Sequence, residues 1–219
     1  MPRRPAGPAA PDPPALPDEL EPADAPAPLD CADARVVEAS WAGARRPGLR
    51  LERSALETVD LSGARVPDLR AVDCELVRCD LANLDARGAS LFRVVVAGGR
   101  LTGTALTEGT LRDVAFRTCR ADLTTFAGST LERVAFDDCL LAQADFRGAR
   151  LESVVFRDCD LSGADLTSAR LRRVELRRCR LDGLVGVHAL RGAAMPFEDM
   201  LAAAQTFAEG LGVRVLDAD

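Results

Sequence analysis

The sequence predicts an all-β solenoid, a chain wound into four-sided coils, and three observations predict it. Taken every fifth residue from Leu51 to Leu181, the 27 positions hold 17 Leu, five Phe, two Val and three Ala, and nothing polar. The column two residues earlier, Leu49 to Cys179, carries no charge, and of the 43 charged residues between 46 and 182 all but Arg46 fall in the other three columns. A five-residue period spreads around an α-helix, whose turn holds about 3.6 residues, and an odd period breaks the alternation of a flat strand. A chain that turns a corner every five residues satisfies it by placing two of each five inward. The third observation is a longer repeat. Residues 131–150 (LERVAFDDCLLAQADFRGAR) and 151–170 (LESVVFRDCDLSGADLTSAR) share one order of types, and Cys139, Cys159 and Cys179 return at intervals of twenty. Four pentapeptides then make one coil.

The elements follow in chain order. Residues 1–30 hold ten of the 13 prolines. Proline removes a donor and restricts its neighbour, so this stretch is expected to be a disordered, polyproline-like arm. It reads as a solubilising tail, with a Pro-rich ligand for a partner's groove as the alternative. Residues 31–48, with Trp41 in the central column, are expected to cap the first coil, because a solenoid end leaves strand edges open.

The β-helix is assigned to 49–185. Nine of the 11 Gly residues between 46 and 185 lie in the third outward column, for example Gly63, Gly128 and Gly163, where a corner needs unusual backbone angles. Ala71, Ala86 and Gly99 thin the interior of the first half and predict looser packing there.

Residues 186–219 form the C-terminal cap. Pro196-Phe197-Glu198-Asp199 opens a helix over about 196–209, with proline early and acids in the first turn. Phe197, Met200, Leu201, Ala204, Phe207 and Leu211 follow helical apolar spacing, and Val213-Arg214-Val215-Leu216 reads as a short strand. The expected role is a lid on the last coil.

This organisation resembles the pentapeptide-repeat proteins, with their motif A-(D/N)-(L/F)-x-x. The motif stands here as Ala144-Asp145-Phe146 and Ala164-Asp165-Leu166, more loosely as Ala64-Arg65-Val66, over about 35–185. The resemblance implies a right-handed quadrilateral β-helix with the central Leu or Phe and the preceding small residue inward. Seven coils at roughly 4.8 Å would make a rod roughly 34 Å long. Ala121-Asp122-Leu123 matches the motif two residues out of frame, which leaves a bulge or shifted coil open there. In some family members a C-terminal tail like this one makes a homodimer contact, the second role open to residues 195–219.

Composition limits the chemistry. All 28 basic residues are Arg, and there is one His and one Trp. Six of the seven Cys (Cys74, Cys79, Cys119, Cys139, Cys159, Cys179) occupy the inward small-residue column and read as buried thiols acting as small hydrophobes. Cys74 and Cys79 lack the second ligand pair of a zinc site. Phe116, Phe136 and Phe156 read as a stacked core. His188 has no catalytic partner assignable by spacing, and no Gly-rich phosphate loop is present. The expectation is no enzyme, no cofactor and no metal. No apolar run approaches the roughly 20 residues of a membrane span, and the start lacks a signal-peptide core, so the expected compartment is the cytoplasm.

Function therefore falls to the outer faces. The net charge is −6 overall but +1 between 46 and 182. The face around Leu111, Leu131, Leu151 and Leu171 has ten Arg against five acids, and a docking face is assigned to Arg112, Arg133, Arg150, Arg170, Arg172 and Arg173. Mixed charges along a ladder can equally neutralise one another. The reading is a non-catalytic scaffold for a protein partner. The alternative, implied by the resemblance, is a DNA mimic that binds DNA gyrase or another topoisomerase. A near-neutral rod is a poor copy of a duplex that carries a charge per roughly 1.7 Å. Direct nucleic-acid binding is expected least, since outward aromatic residues are scarce.

Overall fold

Each pentapeptide turns its corner at its last residue. From Asp33 to Gly183, every residue whose number ends in 3 or 8 has a positive φ, between 43° and 71°. Ten of these corners are Gly; the rest are mostly polar, with Thr58, Thr118 and Leu123 among them. The computed structural model describes residues 7–22 and 30–215. Their strands run parallel and join into a solenoid of about seven turns, right-handed and four-sided.

Five eight-residue strands form the middle of the rod: Arg70–Val77, Ser90–Ala97, Thr110–Arg117, Thr130–Asp137 and Arg150–Arg157. Their register is offset by twenty throughout, so Leu91, Leu111, Leu131, Leu151 and Leu171 stack in one column. Both inward columns are buried from Leu49 to Ala169. Leu171 and Cys179, in the last turn, are half-buried. The aromatic ladder is doubled: Phe116, Phe136 and Phe156 stack with centroids 4.9 and 5.0 Å apart, and Phe126 and Phe146 stack at 5.0 Å. The two stacks meet edge to face at 5.8–6.3 Å, an arrangement that suits the ring quadrupoles. Thr104, Thr124 and Ser129, polar members of the small column, are satisfied by carbonyls of the preceding coil, donating to those of Leu81, Leu101 and Leu106.

The thinner first half leaves an apolar void of about 40 Å³, lined by Leu51, Ala71, Leu91 and neighbours. Ala71 interrupts the leucine column between Leu51 and Leu91. Filling it should help, because cavity volume costs about 24 cal/mol per Å³. Ala71→Leu is expected to stabilise the rod by about 1 kcal/mol, read as a raised thermal midpoint. An unchanged or lowered midpoint would show that the void cannot take the side chain.

The out-of-frame triplet makes no bulge. Ala121 is buried and Leu123 is 54% exposed, while the bridges Arg120–Leu140 and Thr125–Asp145 keep the twenty-residue register. The corner at Leu123 takes its left-handed backbone (φ 59°) regardless of side chain. Stacking on neighbouring coils outweighs the local motif.

Residues 31–48 are themselves a coil. Cys31 pairs with Leu51, Val36 with Leu56 and Ser40 with Asp60, and Trp41 is buried in the central column. The edge of this coil is covered by Glu21–Pro22, which pairs with Ala34–Arg35. At the other end, Ala194 bridges to Glu175, and two short helices follow, Phe197–Ala202 (α1) and Ala204–Gly210 (α2). The expected single helix is thus divided at Ala203. The expected apolar face is also not the packed one. Ala203, Thr206 and half-buried Phe207 turn inward, and Gly210 lies against Val187. Phe197, Met200, Leu201 and Leu211 are more than half exposed. Residues 213–215 form no strand, and Leu216 lies outside the described residues.

Among its described residues the Pro-rich arm contains no helix, as its composition requires. Its residues 1–6 and 23–29 lie outside the described residues. Residues 7–22 do not hang free of the rod as the sequence reading has it. The amide of Asp12 donates to Asp113 Oδ1 and that of Ala15 to Asp73 Oδ1. A chain already stiffened by proline loses little conformational entropy on docking, which is how so polar a segment can lie down.

Candidate interaction surface

Residues twenty apart stand one above another, so the charge of each face is decided by vertical pairs. On the Arg-rich face most of the ten arginines have a partner. Arg112 donates to Glu132 (2.9 Å), and Arg133 makes a fork onto both oxygens of Asp113 (2.6 and 2.7 Å) with a further contact to Glu132. Arg172 and Arg173 share Glu152 (3.2 and 2.6 Å), and Arg173 also reaches the Ser153 hydroxyl. Arg150 and Arg170 stand in register on adjacent coils, like charge over like charge. With Glu152 and Arg172 they edge a shallow hollow of about 300 Å³. Of the six arginines assigned from sequence, four are thus tied into ladders, and Arg150 over Arg170 is left without an ion pair among the described residues, as Arg50 over Arg70 is on the same face.

Two pairs on this face are sheltered. Asp73 and Asp113 have side chains 8% and 2% exposed, against Arg93 and Arg133. The Arg93 guanidinium holds the Asp73 carboxyl below its usual range, helped by the Ala15 amide. Burial alone would push Asp113 up, but Arg133 and the Asp12 amide outweigh it and the net shift is downward. Both residues therefore carry full negative charge at neutral pH.

The other faces are neutralised in part, mostly by vertical pairs of the same kind. Arg100 pairs with Asp80, Arg180 with Asp160, Arg147 with Asp145, Arg157 with Asp137 and Arg178 with Asp158. Asp160 is held down at about 2 by Arg180. Acids stacked in register, as phosphate mimicry requires, occur at Asp60–Asp80, Asp145–Asp165 and, on the Arg-rich face, Glu132–Glu152. Exposed pairs of this kind contribute only about 0–1 kcal/mol each, but they remove the long-range field that would steer a polyelectrolyte.

The thiols stack inside. Cys119, Cys139, Cys159 and Cys179 each donate to carbonyls of their own and the preceding coil, and burial pushes Cys74 up to about 11. Among the described residues no group of three His, Cys, Asp or Glu could hold a metal ion. His188 is exposed on the 3-10 turn Val187–Leu190.

A family model described as a pentapeptide repeat region matches residues 69–146 and 129–185. The chain belongs to the pentapeptide-repeat family. Three solved structures are among those to which the chain is similar. HetL, a pentapeptide repeat protein involved in heterocyst differentiation regulation from the cyanobacterium Nostoc sp. strain PCC 7120, is 23% identical; the match covers 77% of this chain and 90% of HetL, with a TM-score of 0.46. QnrB1, a plasmid-mediated fluoroquinolone resistance protein, is 17% identical over 82% of this chain and 100% of its own, with a TM-score of 0.46. Rfr23 from the cyanobacterium Cyanothece 51142 is 17% identical over 68% and 91%, with a TM-score of 0.30. No curated protein matches the sequence.

One column of this pentapeptide-repeat rod escapes a reading face by face. Every twentieth residue from Asp33 runs Asp33, Arg53, Asp73, Arg93, Asp113, Arg133, Ser153, Arg173. Each Asp up to 113 is forked by the Arg of the next coil. The alternation has a period of forty, and only a search at that interval would expose it.

Proposed function

We propose that this pentapeptide-repeat protein is a non-catalytic scaffold that binds a protein partner through its outer faces. The observation that carries the reading is a filled interior beneath a surface of closed ion-pair ladders. The void inside is apolar and water-sized, too small for a substrate, and the surface charge is largely spent within the rod. A partner would then be recognised by shape and by the charged groups left outside the ladders, with Arg150 and Arg170 as the docking face. The thiols of Cys119, Cys139, Cys159 and Cys179, stacked without a disulfide, suit a reducing cytoplasm, and among the described residues no helix is long and apolar enough to cross a membrane.

Pull-down from native cytoplasm should recover one protein repeatedly, and Arg150→Ser with Arg170→Ser should lower that recovery. Recovery unaffected by the change would remove these arginines from the docking face. The gyrase-binding alternative draws support from the stacked pairs Asp60–Asp80 and Asp145–Asp165, yet Arg100 and Arg147 sit against them. Titration into a supercoiling assay decides it: unchanged activity and drug sensitivity would end the mimic reading. The exposed Phe197, Met200, Leu201 and Leu211 support a homodimer contact through the C-terminal helices. Gel filtration of Phe197→Ser/Leu201→Ser should then show a monomer where the parent elutes as a dimer. Equal elution of parent and variant would sink the dimer.

A further inference from the structure

We infer that the corner ladder through Asp73 and Asp113 is a binding site for a polyproline-II chain, and that the protein's own arm occupies it. The first support is spacing. Asp12 bonds Asp113 and Ala15 bonds Asp73, so three arm residues span two coils. Three residues of polyproline II rise about 9.3 Å, and two coils rise about 9.6 Å. The relation extends one step further, because Ala9 lies beside Ser153 around a shared hollow. The period of forty in the ladder is therefore the period of three in the arm.

The second support is which arm residues turn inward. Pro8, Pro11, Pro14, Pro17 and Leu20 are half-buried at every third position, joined by Leu16, and most residues between them are exposed. Proline cannot donate, so the amide that follows each inward proline is the one offered to the rod, as at Asp12 and Ala15. The third support is the surface beneath. Ala115, Ala135 and Val155 belong to a column that should face solvent, yet they are 3–4% exposed. Small apolar residues beside fixed carboxylates give prolines a flat bed and the amides their acceptors. The arginines behind those carboxylates keep them charged without competing for the outward lone pairs. A ligand of this site is defined by chemistry: proline at every third residue, each followed by a residue with a free amide.

Amide hydrogen exchange on the full chain tests the inference. The Asp12 and Ala15 amides should exchange at least about tenfold more slowly than in a free peptide of residues 7–22. Asp73→Ser with Asp113→Ser should abolish that protection while Val134 and Val154 stay protected. If that variant fails to fold, a chain carrying Pro8→Ser, Pro11→Ser, Pro14→Ser and Pro17→Ser leaves the rod intact. To this chain the labelled 7–22 peptide should bind, and the same composition with its prolines moved off the three-residue spacing should not. Exchange as fast as in the free peptide, or equal binding of both peptides, overturns the site. Protection that disappears on dilution together with a dimer would assign the groove to a second copy's arm and overturn occupancy by the chain's own.

Discussion

Phe136→Asp is expected to unfold the coils on both sides of it. Phe136 is 1% exposed, stacked between Phe116 and Phe156 and touched edge-on by Phe126 and Phe146. Removing a buried Phe costs about 3–5 kcal/mol, and a carboxylate left there has no partner within the apolar stack. Together these exceed about 5 kcal/mol, the lower end of a whole domain's stability. Asp137→Ala, one residue along, loses only a half-exposed pair with Arg157 and should cost under about 1 kcal/mol. Thermal melts by circular dichroism compare the two. Equal midpoints would mean that the inward column is misplaced.

Gly186→Ala should detach the C-terminal cap and leave the rod standing. Gly186 has φ +76°, and a Cβ there would lie 2.5 Å from Thr167 N and 2.7 Å from Leu166 C. Those are backbone atoms of the coil below, so neither side can yield cheaply. Left-handed strain of about 1–2 kcal/mol adds to the clash, giving an expected loss of about 2–4 kcal/mol. Gly63→Ala is the control, since it shares the positive φ (63°) but meets nothing within 4 Å. Hydrogen exchange should show faster opening at 187–210 in Gly186→Ala, with amides of 111–156 unchanged. A loss no larger than that of Gly63→Ala would place the cap's anchor elsewhere.

The inward columns were legible because burial repeats every five residues and tolerates no charge: from Leu49 to Ala169 the assigned lining is the buried lining. The corners were legible in part, since Gly marks ten of them and the stacking of coils imposes the same φ on Thr118 and Leu123. The Arg face was legible as composition but not as chemistry. Arg133 reaches Asp113 and Arg173 reaches Glu152 across 20 and 21 residues, and a count of charges does not say which are already taken. The C-terminal helices misled for a related reason. Their apolar spacing is real, but the rod accepts Ala203 and Thr206 while Phe197 and Leu201 stay outside.

The sequence by itself determined the coil, its period and its lining, because those depend on contacts between residues of fixed spacing. Only the tertiary structure decided where the arm lies and which charges remain. Both depend on two different periods, three in polyproline and twenty in the coil, meeting at a common distance in space.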